Sequence, residues 1–425
     1  MKQTHSKPGT EPGFVLLVAP AASYRVGAYT RAAHNLGMPI MVVSNSEHSL
    51  VPEIARGITV DFDDPEQAFK DIVAALKTID VACVLATDDS CVEICSHVAE
   101  YLDLPQNSPR AALLTKRKDL AREALSEAGC NTPVYQVVNI VDIDLVSRSV
   151  EYPVVVKPLA LAASRGVIRA NDDSEFRTAV RRIDAILEAA GQHGFARENL
   201  LVESYINGPE YAVEGFVIDG KFNLLAIFDK PEPLVGPYFE ETYYLTPSRL
   251  NDQQEMALID EVTRCCTAYG LTHGPVHAEA RLSGADPVLL ELAARTIGGQ
   301  CEQLVEFSLQ QKLEELIIMG MCGIAPQANP KGESAGVLMI PINDSGILKR
   351  VEGLTQARQT EYIQDIEIHI NPGYELIPLP EGSSYLGFIF AQAPDFEQTY
   401  TALKNAHAKL RFVTQPRWEL ENLAV

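Results

Sequence analysis

The chain has 425 residues, of which 46% are hydrophobic and 22% charged, a balance typical of soluble globular proteins. Its length predicts about three domains. The net charge of −22 and the pI near 4.8 argue against nucleic acids and polyanionic surfaces as partners, and no apolar run approaches the ~18 residues of a membrane span. The eight cysteines show neither a CxxC pair nor zinc spacing, which favours reduced thiols in a cytoplasmic protein.

The first part of the chain alternates buried strands with helices. Residues 1–12 are polar and predict a flexible tail rather than a signal peptide. Strands and helices are predicted in turn at 14–19, 28–36, 39–43, 65–76 and 81–86. This rhythm predicts an open parallel sheet over residues 13–112, with a ligand beyond the carboxyl ends of the strands, near Pro20–Arg25 and Thr87–Asp89. Neither loop contains GxGxxG, so a dinucleotide is not indicated.

A second unit begins near Ala111 and combines α/β with α+β character. Helices are predicted at 119–128 and 174–190, and strands at 153–156, 167–169, 200–203, 211–218 and 222–228. We expect one domain over residues 113–332, with a subdomain at about 133–205. Strands at 335–342, 366–370 and 385–391 and a helix at 395–410 predict a small C-terminal α+β domain over residues 333–425.

Two alternating runs joined by Ser283–Pro287 predict a β-hairpin. If the hairpin is centred on Ala285, Glu279 lies directly opposite Glu291. Two carboxylates ~5 Å apart repel each other by roughly 3 kcal/mol at an effective dielectric of ~20, which a hard cation such as Mg²⁺ between them would offset. A solvated acidic face is the alternative. The apolar run around Glu291 argues against it, because it predicts a nearly buried carboxylate that needs a partner.

Two lysines and a short loop are candidates for binding phosphate. Lys116 precedes a predicted helix, and Lys157 ends a buried strand, where an ammonium is costly unless it meets an anion. The loop Ser164-Arg165-Gly166 could direct backbone N–H groups to phosphate oxygens. A plain surface lysine and an ordinary turn are the alternatives for Lys116 and for the loop.

Further candidates follow the strand at 200–203 and the strand at 222–228. Glu203 and Glu210 flank a turn whose backbone at Tyr205 and Ile206 could bind a base, although a solvated turn would look similar. The Pro- and aromatic-rich stretch around Glu241 could line a substrate pocket or merely cover the core.

Taken in order, these motifs resemble those of the ATP-grasp enzymes, carboxylate–amine or carboxylate–thiol ligases that work through an acyl phosphate. The resemblance covers roughly residues 14–330 and implies a pre-grasp domain followed by a two-part grasp fold. The sequence ELAARTIGG at 291–299 and the length of the C-terminal region are most similar to the bacterial L-amino acid ligases, which form dipeptides.

The resemblance implies a role for each motif. It implies ATP-phosphate contacts from Lys116, Lys157 and the loop Ser164-Arg165-Gly166, adenine contacts from Glu203, Tyr205 and Ile206, and a ribose contact from Glu210. It implies Mg²⁺ (or Mn²⁺) ligands in Glu279 and Glu291, transition-state stabilisation by Arg295, and substrate contacts from Gly298 and Gly299. Independently of the resemblance, Glu241 is a candidate to meet a substrate ammonium group, if its stretch lines the pocket. His277 would take the amine proton or orient a neighbour. Two features depart from the family pattern: Ala293 replaces a common Asn, and Leu161-Ala162-Ala163 replaces glycines.

The implied activity is the ATP-dependent joining of two amino acids, with release of ADP and phosphate. Alternatives are a ligase that joins an amino acid to a non-peptide carboxylate or amine, and a nucleotide-binding protein without catalysis. Retention of Glu279, Glu291 and Arg295 together argues against loss of activity. At the family level a homodimer is a reasonable expectation, and the sequence does not identify either amino acid.

Overall fold

A parallel sheet begins the chain in the computed structural model, which describes residues 12–46, 56–324 and 332–417. The tail predicted over residues 1–12 therefore lies almost wholly outside the described residues. The elements are β1 (Phe14–Val18), α1 (Val26–Asn35), β2 (Ile40–Ser44), β3 (Arg56–Thr59), α2 (Pro65–Leu76), β4 (Val81–Ala86), α3 (Val92–Tyr101), α4 (Pro109–Lys116) and α5 (Lys118–Glu127). The strand order is β3-β2-β1-β4 and all pairings are parallel, which confirms the predicted open sheet.

Local chemistry explains most of these boundaries. Four of the five residues of β1 are buried, as expected for a strand covered on both faces. The Asp64 carboxylate caps α2 by accepting the Gln67 N–H, and Pro65 occupies the first turn, where its missing N–H costs nothing. The edge strand β3 was not predicted, because its sequence RGIT is mostly exposed and has no apolar run.

The next elements form a small antiparallel sheet with one long helix. They are β5 (Tyr135–Asn139), α6 (Ile143–Val146), β6 (Val154–Pro158), β7 (Ile168–Ala170), α7 (Asp173–Ala189), α8 (Phe195–Glu198) and β8 (Asn199–Ser204). The order is β5-β8-β6-β7. Helix α7 buries Phe176, Val180, Ile183 and Leu187, whose spacing of three and four residues gives it one apolar face against this sheet.

The remaining elements build a large sheet of eight strands. They are β9 (Glu210–Ile218), β10 (Lys221–Lys230), β11 (Tyr243–Thr246), α9 (Asp252–Tyr269), β12 (Gly274–Ser283), β13 (Asp286–Ala293), α10 (Glu302–Leu309), α11 (Leu313–Met321), β14 (Ser334–Ile340), β15 (Gly346–Glu352), α12 (Leu354–Arg358), β16 (Ile363–Ile368), β17 (Glu375–Leu376), β18 (Gly387–Ala393), α13 (Phe396–His407) and β19 (Arg411–Gln415). The order is β13-β12-β9-β10-β11-β14-β18-β16, and β17-β15-β19 form a separate sheet.

Three strands of the C-terminal region join the large sheet. Strand β14 is fully buried and pairs with β11, so β14, β18 and β16 extend the sheet that β9 to β13 begin. The sequence shows that these residues are strands, but it does not show which strand edge they meet. The predicted domain limits at 112, 332 and the subdomain at 133–205 remain predictions.

The hairpin of β12 and β13 has the predicted glutamate pair but a different centre. Ser283 pairs with Asp286, which places the turn at Gly284 and Ala285 rather than symmetrically about Ala285. A bulge between Glu279 and Ala280 then shifts the register, so that Glu279 pairs with Glu291 after all. The predicted juxtaposition is confirmed, although it depends on a bulge that the sequence did not reveal.

A continuous hydrophobic core fixes the N-terminal sheet to the large sheet. It includes Leu17 of β1 and Tyr29 of α1 on one side, and Phe216 of β9 and Ile317 of α11 on the other. Arg25, beyond β1, adds hydrogen bonds across the same boundary: its guanidinium donates to the carbonyl oxygens of Thr87 (2.8 Å), Thr296 (3.1 Å) and Ile297 (2.6 Å). The loops at the carboxyl ends of β1 and β4 therefore reach the segment that follows β13.

Two glycines with positive φ test the packing between the small and large sheets. At Gly208 (φ +138°) a Cβ atom would lie 1.9 Å from the Leu282 carbonyl oxygen, whereas at Gly220 (φ +76°) it would meet nothing within 4 Å. We expect Gly208→Ala to lower the free energy of unfolding by about 3 kcal/mol or more, and the matched control Gly220→Ala by about 1 kcal/mol from backbone strain alone. Urea denaturation measures both, and equal losses would contradict this account of Gly208.

Candidate active site

Two cavities adjoin in front of the β12–β13 hairpin. The wide cavity, of about 550 Å³, lies between the N-terminal loops, the segment after β13 and the C-terminal region. The narrow cavity, of about 100 Å³, lies between the small antiparallel sheet and the large sheet. Both are lined by Ala162, Ala163, Ser164, Glu241, Glu279 and Glu291. Three carboxylates therefore stand where the two cavities meet.

A buried ion-pair cluster forms one wall of the narrow cavity. Glu203, at the end of β8, lies 2.7 Å from the Lys157 ammonium and 2.6 Å from the Arg122 guanidinium. Burial alone would raise the pKa of Glu203, but the two cations outweigh it and lower that pKa, whereas burial lowers the pKa of Lys157. The anion that the sequence required for Lys157 is thus provided by the protein itself, and Arg122 was not predicted.

The backbone of the turn after β8 is partly engaged. The Tyr205 N–H donates to the Pro153 carbonyl (3.1 Å), and the Ile206 carbonyl accepts from Arg281 (2.8 Å). The Tyr205 N–H is therefore not available to a base. The Ile206 N–H has no hydrogen-bond partner among the described residues, and Ile206 lines the narrow cavity.

Lys118 rather than Lys116 reaches the narrow cavity. Lys116 ends α4 and does not belong to the described residues that line either cavity. Arg117 has an extended backbone that separates α4 from α5, and Lys118 then turns inward to donate to the Leu161 carbonyl (3.1 Å) and to Glu291 (2.9 Å). The sequence indicates a cation at Lys116-Arg117-Lys118, but it does not indicate which of the three side chains faces the cavity.

One part of the predicted phosphate loop lines the cavities, and the other part contacts the C-terminal region. Ala163 (φ +57°) and Ser164 (φ +54°) adopt left-handed backbone conformations and line both cavities. Arg165 instead donates to the Glu381 carbonyl (3.1 Å), and the Gly166 N–H to the Pro380 carbonyl (3.0 Å). The predicted contribution of Arg165 and Gly166 to a phosphate site is therefore not supported, because both attach the loop to the C-terminal region.

Lys230, which the sequence analysis did not select, lies at the centre of three carboxylates. Its ammonium is 2.6 Å from Glu210, 2.5 Å from Glu241 and 3.0 Å from Glu279. Burial would lower the pKa of Lys230, but the three carboxylates raise it well above its usual value. Burial, with Glu279 nearby, raises the pKa of Glu241 to about 7. Glu210 also accepts from Arg281 (2.8 Å), so both oxygens of the predicted ribose ligand are engaged.

The two hairpin glutamates have different surroundings. The Glu279 side chain is 20% exposed and contacts Lys230, whereas the Glu291 side chain is 42% exposed and contacts Lys118. The prediction that Glu291 is nearly buried is wrong, because its side chain opens onto the cavities. Each carboxylate has its own ammonium partner, so the repulsion expected between them is already offset.

His277 connects Glu279 to a fully buried carboxylate. Its Nδ1 atom lies 3.3 Å from Glu214 and its Nε2 atom 3.7 Å from Glu279. Burial alone would lower the pKa of His277, but these two carboxylates outweigh it and raise that pKa. Glu214 also accepts the Ile297 N–H with both oxygens, at 3.2 and 3.1 Å. Glu214 therefore connects β9 to the segment that follows β13, and His277 lies between Glu214 and Glu279.

Arg295 and a pair of aspartates lie in the wide cavity. Arg295 is 3.0 Å from Asp89, which follows β4. Asp88 accepts hydrogen bonds from the hydroxyl groups of Ser23 (2.8 Å) and Thr87 (2.5 Å), and the described part of the chain places no cationic side chain in a salt bridge with it. A carboxylate that faces a cavity without a cation is a candidate for a ligand's ammonium group.

Apolar and aromatic side chains of the C-terminal region also line the wide cavity. They are Met339, Ile370, Tyr385 and Phe388, and the predicted substrate contacts Gly298 and Gly299 line the same cavity. Gly299 has φ +62°, and a Cβ atom there would lie 2.4 Å from the Met339 sulfur, so a side chain at this position would displace Met339. The four apolar residues come from the C-terminal region, which the sequence analysis did not connect with the site.

The Glu203 cluster makes a prediction about stability. We expect Glu203→Gln to lower the free energy of unfolding by about 3 kcal/mol at pH 7, because it leaves two buried cations without their anion. Since the pKa of Glu203 is lowered from 4.5 in the folded protein, its contribution is present at pH 7 and is lost as the pH falls below 4.5. Chemical denaturation from pH 7 to pH 3 measures the difference between wild type and variant. The exposed Glu188→Gln is the control, and a difference that does not shrink with acid would contradict the prediction.

No helix in the described ranges is both long and apolar enough to cross a lipid bilayer.

Three family models match the chain in succession. They are an ATP-grasp N-terminal domain over residues 30–106, an ATP-grasp domain over residues 150–303 and the L-amino acid ligase C-terminal domain 2 over residues 338–415. The order of the three models agrees with the order of the motifs in the sequence.

Individual relatives are similar at low identity. Carnosine synthase 1 from Homo sapiens is 24% identical over 378 residues, which cover 83% of this chain and 44% of that protein. Alanine–anticapsin ligase from Bacillus subtilis (strain 168) is 24% identical over 257 residues, which cover 56% of this chain and 53% of that protein. The chain thus spans about half the length of these relatives. The crystal structure of an L-amino acid ligase from Bacillus licheniformis superimposes with a TM-score of 0.80 at 24% identity, covering 96% of this chain and 100% of that one.

Proposed function

This chain belongs to the ATP-grasp superfamily, and we propose that it is an ATP-dependent ligase that joins the carboxylate of one amino acid to the amine of another. One observation carries the proposal. A narrow cavity lined by cations and a wide cavity containing Arg295 meet at Glu241, Glu279 and Glu291. A nucleotide that widens the narrow cavity as it binds would direct its terminal phosphate towards a carboxylate substrate in the wide one.

Residues of the narrow cavity fit the parts of a nucleotide. Lys157 and Lys118 provide ammonium groups for phosphate oxygens, and the unpartnered Ile206 N–H can donate to a ring nitrogen of the base. Lys118 replaces Lys116 in this proposal, because Lys118 reaches the cavity. The backbone of Ala162, Ala163 and Ser164 lies beside both cavities, where the γ-phosphate would pass.

The carboxylates at the junction fit a divalent cation. Glu279 and Glu291 provide hard oxygen donors from adjacent strands, the ligands that Mg²⁺ and Mn²⁺ prefer. Ala293 also lines the wide cavity but offers no side-chain ligand. When bound, the metal would neutralise charge on the transferring phosphoryl group.

Arg295 and the glycine segment suit the chemistry of the wide cavity. The substrate carboxylate attacks the γ-phosphorus, the bond to ADP breaks, and an acyl phosphate forms. The amine of the second amino acid then attacks the acyl carbon, loses a proton and expels phosphate. Arg295 would stabilise the negative charge that develops in both steps, while Gly298 and Gly299 present backbone groups to the substrate. His277, held between Glu214 and Glu279, is better placed to orient Glu279 than to take the amine proton.

The order of chemistry is testable with labelled substrate. We expect ADP to form only when a suitable amino acid is present, and oxygen-18 in its carboxylate to appear in the released phosphate. Mass spectrometry of phosphate and product, across a matrix of amino-acid pairs and non-peptide carboxylates and amines, measures both. Label retained entirely in substrate and product would exclude an acyl phosphate, and turnover only with a non-peptide partner would replace the dipeptide proposal.

Asp88 is proposed to hold the ammonium group of the amino acid that is phosphorylated. Its neighbour Asp89 is paired with Arg295, so an α-amino acid whose carboxylate lies at Arg295 has its ammonium group close to Asp88. We expect Asp88→Asn to raise the KM for that amino acid by about tenfold or more, the cost of a hydrogen bond to a charged group, with the KM for ATP little changed. Steady-state kinetics with each substrate varied tests this, with the exposed Asp63→Asn as control. An equal rise in both KM values would show that Asp88 has a general structural role.

A further inference from the structure

The ammonium group of Lys230 occupies the position of a bridging cation. A lysine ammonium has three N–H donors, and here each meets a different carboxylate, from Glu210, Glu241 and Glu279, at 2.6, 2.5 and 3.0 Å. The ligand oxygens of these three glutamates lie within 4.8 Å of one another, close enough to share a metal ion. The lysine ammonium thus lies among three oxygens that are spaced closely enough to hold a divalent cation.

The surroundings keep this ammonium in place. The Lys230 side chain is 3% exposed and lies against the Tyr244 ring, with its Nζ atom 4.9 Å from the ring centroid. Lys230 comes from the last position of β10, next to Glu210 at the start of β9, so the sheet register itself sets this ion pair. A divalent cation could use all three carboxylates only by displacing a buried charge from them, which is costly.

We infer that Lys230 is an internal counterion that prevents the free enzyme from binding a divalent cation at Glu279, so that the metal binds only together with the nucleotide. This inference rests on the proposed function only in taking Glu279 as a metal ligand. In the free enzyme one oxygen of Glu279 already faces Lys230, and Glu291 faces Lys118. Phosphate oxygens of a bound nucleotide would supply the additional ligands that these two engaged glutamates lack.

The test measures binding of Mn²⁺ to full-length, nucleotide-free protein by electron paramagnetic resonance. We expect Mn²⁺ to bind weakly to wild type. We expect its affinity for Lys230→Met to be at least about tenfold higher, because Glu210, Glu241 and Glu279 have then lost the ammonium group among them. Lys118→Met is the matched control. This substitution removes the ammonium group that pairs with Glu291 but leaves Lys230 among its three glutamates. The Mn²⁺ affinity of Lys118→Met should therefore rise much less.

Thermal melting gives a second readout that does not depend on turnover. Without metal, Lys230→Met should melt below wild type, and Mn²⁺ should raise its melting temperature far more than that of wild type, because the ion binds the native state.

Three results would overturn the inference: tight Mn²⁺ binding by nucleotide-free wild type that Glu279→Gln abolishes, equal affinities in Lys230→Met and Lys118→Met, or failure of Lys230→Met to fold even with Mn²⁺. Because no step requires amide formation, these results are independent of whether the ligase proposal holds.

Discussion

The charge balance at the β12–β13 hairpin determines how the rest of the site is arranged. The pairing of Glu279 with Glu291 places two carboxylates side by side, and like charges in that position destabilise a sheet. The protein offsets them with Lys230 from β10 and Lys118 from α5. Both ammonium groups are largely buried and depend on their anionic partners, which are three carboxylates for Lys230 and the Glu291 carboxylate for Lys118. These ion pairs connect the hairpin to β10 and to α5.

The same logic connects the N-terminal sheet to the site. Arg295 follows β13, and its guanidinium pairs with Asp89 at the end of β4. Arg25, at the end of β1, donates to carbonyl groups of the segment that follows Arg295. Because parallel strands end at the same edge of a sheet, both loops reach that segment together. A substrate in the wide cavity would thus contact two sheets whose relative position is fixed by buried polar contacts and a shared core.

Much of this arrangement could be read from the sequence, and the misses have physical causes. The glutamate pair, the strand that ends at Lys157 and the parallel sheet follow from periodicity and from the cost of burying charge. Lys118, Arg122 and Lys230 were missed because a lysine or arginine gains its role from carboxylates far away in the chain. Arg165 and Gly166 were predicted to bind phosphate, because the local sequence does not reveal that they donate hydrogen bonds to the carbonyl groups of Glu381 and Pro380. Likewise, the apolar residues of the wide cavity lie in or beside β14, β16 and β18, whose place in the large sheet only the fold identifies.

When a nucleotide binds at this site, its phosphate oxygens must replace carboxylates that already pair with the lysines. Lys157 and Lys118 each hold a carboxylate in the free protein, and Glu203 is shared between Lys157 and Arg122. When phosphate oxygens approach these lysines, Arg122 can keep Glu203 neutralised, because it retains its own contact at 2.6 Å. Glu291 has no such second cation within salt-bridge distance among the described residues, so release of Lys118 leaves its charge exposed at the junction. A divalent cation that arrives with the phosphates would restore the charge balance at Glu291, the more exposed of the two hairpin glutamates.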